Sequence, residues 1–294
     1  MCYSVVRAKL DIIFKKMFTE NTDLLHDFLA STLEIPFASI KNITIQNPEL
    51  LPSTMDGKLS RMDIKLQVDN RVINIEMQIS EESDYRDRAL FLWSKLFAGE
   101  LKRGDEYEEL KQSICINITN FNMFDCTEYH SHFTMLEKNR HELLTDKCAI
   151  HFFELKKINK KANKENRKEL WLQLINAETK EELDMCAQTG IEPIKKAVYI
   201  LHQMSEDEKL QELAWQREIA LHDDASRTKG AERRGLAKGI EQGIEQGLAK
   251  GKENALIDII REMIRDKMPI SQIAKYTGLP HEEIKKLQQK SETV

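Results

Sequence analysis

Arg61-Met-Asp-Ile-Lys-Leu-Gln-Val-Asp-Asn-Arg-Val-Ile-Asn-Ile-Glu-Met-Gln-Ile79 is the stretch that decides the fold, because its alternation and its turn set two carboxylates side by side. Ile64, Leu66 and Val68 alternate with Asp63, Lys65 and Gln67. Beyond Asp69-Asn70, the residues Ile73, Ile75, Met77 and Ile79 alternate with Asn74, Glu76 and Gln78. Both halves read as strands with one apolar face. Asp-Asn serves as a two-residue hairpin turn, since both residues tolerate left-handed backbone angles. A turn there fixes the register: Val68 faces Arg71, Ile64 faces Ile75, and Asp63 faces Glu76, with Cβ atoms roughly 5 Å apart on the polar face.

Two like charges opposed across a ladder repel unless a cation sits between them or one carboxyl keeps its proton. A divalent cation meets that need, and oxygen-only ligands at this separation suit a hard ion such as Mg²⁺ or Mn²⁺, with water and phosphate completing its shell. Gln78 projects from the same face as Glu76. Its amide can hold a water or a phosphate oxygen, but it cannot take up a proton. Taken alone, the pattern also fits an ordinary hairpin whose Asp and Glu face water.

Composition narrows the classes. Acids outnumber bases, 49 to 44, so net charge offers no general attraction to nucleic acid and any such contact must be local. Cys2, Cys115, Cys126, Cys148 and Cys186 are odd in number and widely spaced, with no zinc-ligand pattern, which points to a reducing cytoplasm. No apolar run approaches bilayer length and the N-terminus lacks a signal-peptide core, so neither a membrane nor secretion is expected.

Helical spacing recurs on either side of the hairpin. Asp11 to Phe18 with Leu24, Leu25, Phe28 and Leu29 forms a helix expected to pack on the sheet. A polar connection with Pro48, Pro52 and Gly57 precedes the hairpin. Tyr85, Ala89, Leu92, Trp93 and Leu96 mark an amphipathic helix running to a glycine cap near Arg103-Gly104, with Arg86 and Arg88 on its first turns. Ser113–Phe121 and Cys148–Leu155 read as two further strands, which makes the core α/β. The basic run Lys156–Lys168 reads as an exposed loop, with a phosphate-contacting patch as the sharper alternative. Two amphipathic helices, Trp171 to Gln188 and Pro193 to His222, follow.

Then the composition changes. Gly235, Gly239, Gly243, Gly247 and Gly251 line one helix face with small residues, each costing about 1 kcal/mol relative to alanine. The stretch reads as a marginal helix, either a linker or a stripe for homo-oligomer formation. From Ile270 to Ile284 the chain has a helix-turn-helix layout, with Ala274 at the crossing and Gly278 at the turn. Its second helix opens with His281-Glu-Glu, which favours a structural or protein-contact module over a reader of DNA sequence.

Asp11-Ile-Ile-Phe-Lys-Lys-Met-Phe, Arg61-Met-Asp63, Ile75-Glu-Met-Gln78, Tyr85 to Arg88 and Gly104-Asp-Glu-Tyr-Glu-Glu-Leu110, in that order, resemble the bacterial recombination-promoting nuclease family, whose members are also labelled transposases. The glycine repeat and the Ile-Ala-x-x-Thr-Gly-Leu segment resemble its C-terminus, so the likeness spans nearly the whole chain. The resemblance implies a PD-(D/E)XK, restriction-endonuclease-like core: a mixed sheet flanked by helices, with the metal acids on adjacent antiparallel strands. It implies that Asp63 is the metal-binding aspartate, that Glu76 is the acid of the E-x-K element, that Gln78 stands in the place of its lysine, and that Asp11 matches the acid on the first helix. Glutamine at that place is an accepted variant of the family.

The expected domains are nuclease-like over 1–225, a glycine-repeat helical linker over 226–255 and a helix-turn-helix-like module over 256–294. The expected activity is Mg²⁺- or Mn²⁺-dependent hydrolysis of DNA phosphodiesters, with Lys15, Arg61, Lys65 and Arg86 as candidate phosphate contacts and DNA as the partner. Two alternatives stand beside it. One is a non-catalytic DNA-binding or assembly protein on the same fold. The other is a strand-transfer enzyme, for which Glu154 or Glu165 would have to serve as a distant third acid.

Overall fold

The computed structural model describes residues 5–46, 63–101, 103–159 and 164–291. Cys2, Pro48, Pro52, Gly57, Arg61 and the middle of the basic run therefore lie outside the described residues. The chain forms two compact units, residues 1–223 and 224–294.

Among the described residues of the first unit, six strands form one sheet: β1 Ile43–Ile45, β2 Ile64–Val68, β3 Arg71–Gln78, β4 Gln112–Thr119, β5 His130–Leu136 and β6 Leu143–Glu154. Their spatial order is β1-β2-β3-β4-β6-β5. β4 runs parallel to both β3 and β6, while the remaining neighbours are antiparallel, so the sheet is mixed. The hairpin has the register its alternation requires, with Ile64 opposite Ile75 and Val68 opposite Arg71. Asp69 takes the left-handed turn position at φ 51°. Its carboxylate also accepts from the N–H groups of Lys41 and Asn42, at 3.2 and 3.1 Å, and so pins the short edge strand β1 to the turn.

One departure from the simple alternation matters for function. Most of the polar face of β3 does not meet water: Val72 through Met77 are all buried, Asn74 and Glu76 included, and only Gln78 at the end is partly exposed. β3 lies between two strands, and helix α3 (Tyr85–Ala98) covers that face with Tyr85, Ala89, Trp93 and Leu96, packed among Val72, Cys115, Cys148, Ile150 and Phe152. The Trp93 indole N–H donates to the Ser113 carbonyl at 2.9 Å and fixes the helix on the sheet. The helix stops at Gly99, short of the expected Arg103-Gly104, and Gly104 instead holds a turn at φ 104°.

The other face carries α1 (Asp11–Glu20), α2 (Thr22–Thr32), α4 (Arg167–Asn176), α5 (Lys180–Ala187) and α6 (Glu192–Glu206). Phe14, Phe18, Phe28 and Trp171 pack there in edge-on and tilted contacts above Ile64, Leu66, Ile73 and Ile75. Each such buried side chain contributes about 1.5–3 kcal/mol. The two long helices expected after the basic run are both interrupted by caps. Thr179 accepts from the Glu182 N–H at 3.2 Å while the Glu182 carboxylate accepts from the Glu178 N–H at 2.8 Å, which separates α4 from α5. The Asp207 carboxylate accepts from the N–H groups of Lys209 and Leu210, which separates α6 from α7 (Glu208–Arg265).

At the β5–β6 edge, His132 stands opposite His151 with ring centroids 4.1 Å apart. His130 Nε2 lies 3.0 Å from His151 Nδ1, and Lys168 Nζ lies 3.3 Å from His130 Nδ1. An ammonium only donates, so His130 Nδ1 accepts, and its Nε2–H donates to His151 Nδ1. Lys168 is itself paired with Glu34 at 2.6 Å.

In the second unit, Ile260, Ile273 and Ile284 form a small core with Ala274 packed against it. α8 (Ile270–Thr277) ends at Gly278, φ 72°, before α9 (His281–Ser291). The glycine repeat is helical within α7, and a Cβ built at Gly235, Gly239, Gly243, Gly247 or Gly251 meets nothing within 4 Å. No helix among the described residues is long and apolar enough to cross a membrane.

Asp27 is the polar link within the helical layer. It is buried on α2, accepts from the Trp171 indole N–H at 2.8 Å and from Arg167 Nε at 3.0 Å. Removing its carboxylate leaves a buried indole donor without an acceptor, so Asp27→Ala is expected to destabilise the first unit by about 2 kcal/mol. A urea titration reads this as a lower midpoint at unchanged slope; an unchanged midpoint would show that the link carries no net energy.

Candidate metal-acid site

Asp63 sits one residue before β2 and continues the hairpin by a further rung opposite Glu76. The rung is built through side chains. Asp63 N–H donates to Glu76 Oε1 at 3.3 Å, and Asp63 Oδ2 accepts from the Met77 N–H at 2.7 Å. Asn74, two residues before Glu76 and so on the same strand face, donates from Nδ2 to Glu76 Oε1 at 2.8 Å. Asn74 is fully buried, and among the described residues its Oδ1 has no hydrogen-bond partner. Tyr85, in the first turn of α3, closes the roof and donates to Asn117 Oδ1 at 3.2 Å.

This setting raises the proton affinity of both acids. Burial is the main cause for each. It lifts Asp63 to about 6, with the Asp11 charge adding and the Met77 N–H, Arg88 and Lys15 opposing. It lifts Glu76 to about 8, with the Asp63 charge adding and Asn74 and Arg88 opposing. The arrangement favours protons or a cation between the carboxylates over two bare charges.

Gln78, at the end of β3, is committed through its amide nitrogen, which donates to the Ser80 carbonyl at 2.9 Å and to Glu82 Oε1 at 3.1 Å. Glu82 also holds Arg88 Nη1 at 3.0 Å. Glu82, Arg88, Asn74 and Tyr85 are thus parts of this site that the sequence pattern did not single out for a role. Glu82 had no signal at all. Arg88 had one, since it lies three residues after Tyr85 and so shares its helix face.

The other expected site residues divide. Lys15, one turn along α1, lies close enough for its charge to oppose proton uptake by Asp63. Lys65 stands opposite Asn74 on β2, two residues from Asp63. Asp11 is engaged away from the pair. Its carboxylate is clamped by Arg217 of α7, with Nε 2.9 Å from Oδ1 and Nη2 2.7 Å from Oδ2, and only its charge reaches Asp63. Among the described residues no group of three or more His, Cys, Asp or Glu side chains is spaced to hold a metal. Arg86 turns away from the acids: it donates to the Met123 carbonyl and lies over the Phe124 ring at 4.7 Å. Arg61 is outside the described residues. Glu154 is not placed as a third acid either, because it is fully buried as a clamp on the Met123 and Phe124 N–H groups and on Lys157 Nζ, 2.7 Å away. Glu165 lies beside Asn166, Arg167 and Lys168, near Glu34 and Tyr129.

A family model described as PD-(D/E)XK nuclease family transposase matches residues 8–231, a span that holds the hairpin, both acids and α3. No curated protein and no solved structure matches the chain.

The raised proton affinities set the sign of a pH effect. Both acids bind protons more tightly in the folded chain than in the unfolded one, so their contribution is favourable at low pH and is lost as pH rises through the folded values. In chelator, the melting temperature should therefore fall between about pH 5 and about pH 8, and Glu76→Gln should flatten the fall. Mg²⁺ or Mn²⁺ should raise the melting temperature more at the upper end of this window than at the lower, because there it competes with fewer protons. Thermal melts across pH check this; a metal effect independent of pH would mean that the ion binds elsewhere.

Proposed function

Because the chain belongs to the PD-(D/E)XK nuclease family transposases, we propose that it is a metal-dependent endonuclease that hydrolyses DNA phosphodiesters at the Asp63–Glu76 pair. The observation that carries this reading is the opposition of a buried Glu76 and a half-buried Asp63, joined through the Asp63 N–H and both raised in proton affinity. Their chemistry fits the ion the family implies. The donors are anionic oxygens, a hard cation takes such donors, and Mg²⁺ in particular keeps several waters, so two protein carboxylates with water and phosphate suffice. Bound there, Mg²⁺ or Mn²⁺ would lower the pKa of a water and neutralise charge on the scissile phosphate.

The chain's own residues have separable tasks. Asn74 orients Glu76 through Oε1, and the Met77 N–H orients Asp63 through Oδ2. Both hydrogens of the Gln78 amide are engaged by Ser80 and Glu82, so the atom it presents to substrate is its carbonyl oxygen. That oxygen accepts from the attacking water and aligns it, and takes no proton. Water oxygen bonds to phosphorus as the bond from phosphorus to one sugar oxygen breaks; the proton that water gives up is balanced by the one the sugar oxygen gains. Lys15 and Lys65 supply positive charge along the approach of the phosphate backbone. Hydrolysis is favoured over strand transfer because Glu154 is spent on a loop clamp and adds no third acid.

The remaining assignments follow from local chemistry. Cys115, Cys126, Cys148 and Cys186 are unpaired, in keeping with a reducing cytoplasm. The open glycine face beside exposed Leu236, Ile240, Ile244 and Leu248 is where a second copy would pack. α9 opens with Glu282 and Glu283, which suits a protein contact better than a DNA backbone.

Supercoiled plasmid incubated with purified protein and Mg²⁺ or Mn²⁺ should be nicked, chelator should stop the nicking, and Asp63→Ala or Glu76→Ala should each slow it by at least ~10²-fold. Variants that cut like the unaltered protein would remove the site. Silence in every sample with retained DNA binding would favour the non-catalytic binding protein.

A further inference from the structure

The position two residues beyond Glu76, where the family motif has lysine, holds a neutral amide that brings no positive charge to the acids. That charge arrives from the roof of the site. Arg88 projects from the end of the first turn of α3 with its side chain about one third exposed, and its charge acts on both Asp63 and Glu76. Only one of its amino nitrogens is committed: Nη1 bonds both oxygens of Glu82, at 3.3 and 3.0 Å. Among the described residues no protein acceptor engages its Nη2 or Nε, so an edge of the guanidinium remains for a phosphate, the geometry it binds best. The same Glu82 Oε1 accepts from Gln78 Nε2 at 3.1 Å. One carboxylate therefore ties the residue that stands in the lysine's place to the arginine whose charge acts on the acids.

We propose that Arg88 is a further catalytic residue, contacting a non-bridging oxygen of the scissile phosphate in place of the motif lysine, and that Glu82 is a positioning residue that sets Arg88 and Gln78 together. The inference rests on the hydrolysis reading above. It divides the lysine's work between two side chains. Arg88 brings charge but keeps its proton, so it cannot serve as a base, and Gln78 aligns the water without bringing charge. Arg86, two residues earlier on the same helix but bound to Met123 and Phe124, has no part in it.

Single-turnover cleavage of a short duplex at saturating protein tests the assignment in the full chain. Arg88→Ala should slow cleavage by roughly 10²-fold, Arg88→Lys by less, and Arg86→Ala should cleave at the unaltered rate. Glu82→Gln should lower the rate at saturation without weakening duplex affinity, a split that a loss of fold would not produce. Adding Gln78→Lys to Arg88→Ala should recover a measurable part of the rate. Equal rates for the unaltered protein and Arg88→Ala overturn the proposal, as do equal losses in Arg86→Ala and Arg88→Ala, or a double variant no faster than Arg88→Ala. If the unaltered protein cleaves nothing, the hydrolysis reading fails, and duplex binding in Ca²⁺ then decides the arginine contact alone. Arg88→Ala should reduce the slope of log affinity against log salt by roughly one, and an unchanged slope overturns the contact as well.

Discussion

Two opposed carboxylates, Glu76 buried and Asp63 half-buried, repel each other, and much of the first unit is arranged around that repulsion. The hairpin brings Asp63 and Glu76 together because a two-residue turn at Asp69-Asn70 leaves them no other register. A slip of one residue between the strands would put the two acids on opposite faces and turn one strand's apolar residues out of the core. The apolar face of β2 and β3 under α1 and α2 prevents that slip, so the hydrophobic layer enforces the polar site. α3 then removes the solvent that would otherwise screen the two charges.

The sequence showed the hairpin, its register and the helix on each side of it, because these rest on local alternation and a turn. It did not show how deeply the polar face is buried. Asn74, Glu76 and Gln78 look like a solvent face when only the strand is considered; Asn74 and Glu76 become interior, while Gln78 at the strand end stays half-buried, because β4 and β6 extend the sheet beyond β3 and α3 lies over it. β5 went unread for a related reason: its side chains are mostly exposed and carry no alternation. The capping signals at Thr179-x-x-Glu182 and at Asp207 were present in the sequence, but the apolar periodicity on either side of each is continuous enough to read as one helix.

Among the site residues, the sequence pointed to most of those on the hairpin, passed over Asn74 beside Glu76, and missed those brought in by tertiary packing. Asp63, Glu76, Gln78 and Lys65 follow from the register alone. Arg86 and Arg88 cannot be told apart by spacing to the acids; what separates them is that Phe124 and the Met123 carbonyl capture one and Glu82 the other. Asp11 looks like a ligand on α1, yet Arg217, more than two hundred positions away in the chain, claims its carboxylate. Long-range ion pairing of this kind leaves no trace in local pattern.

The histidine ladder at the far edge of the sheet has a consequence for acid. Because Lys168 can only donate, each ring in the series His130 to His151 holds its single proton at a fixed nitrogen. A second proton on either ring would place two donors against each other. Burial, with the neighbouring Lys168 and histidine charges, holds His130 down to about 4 and His151 to about 3. An unfolded chain has no such restriction and takes up those protons near the ordinary histidine value. Acidification therefore draws free energy out of this edge first, and β5 with its hairpin partner becomes the seam along which the sheet begins to come apart.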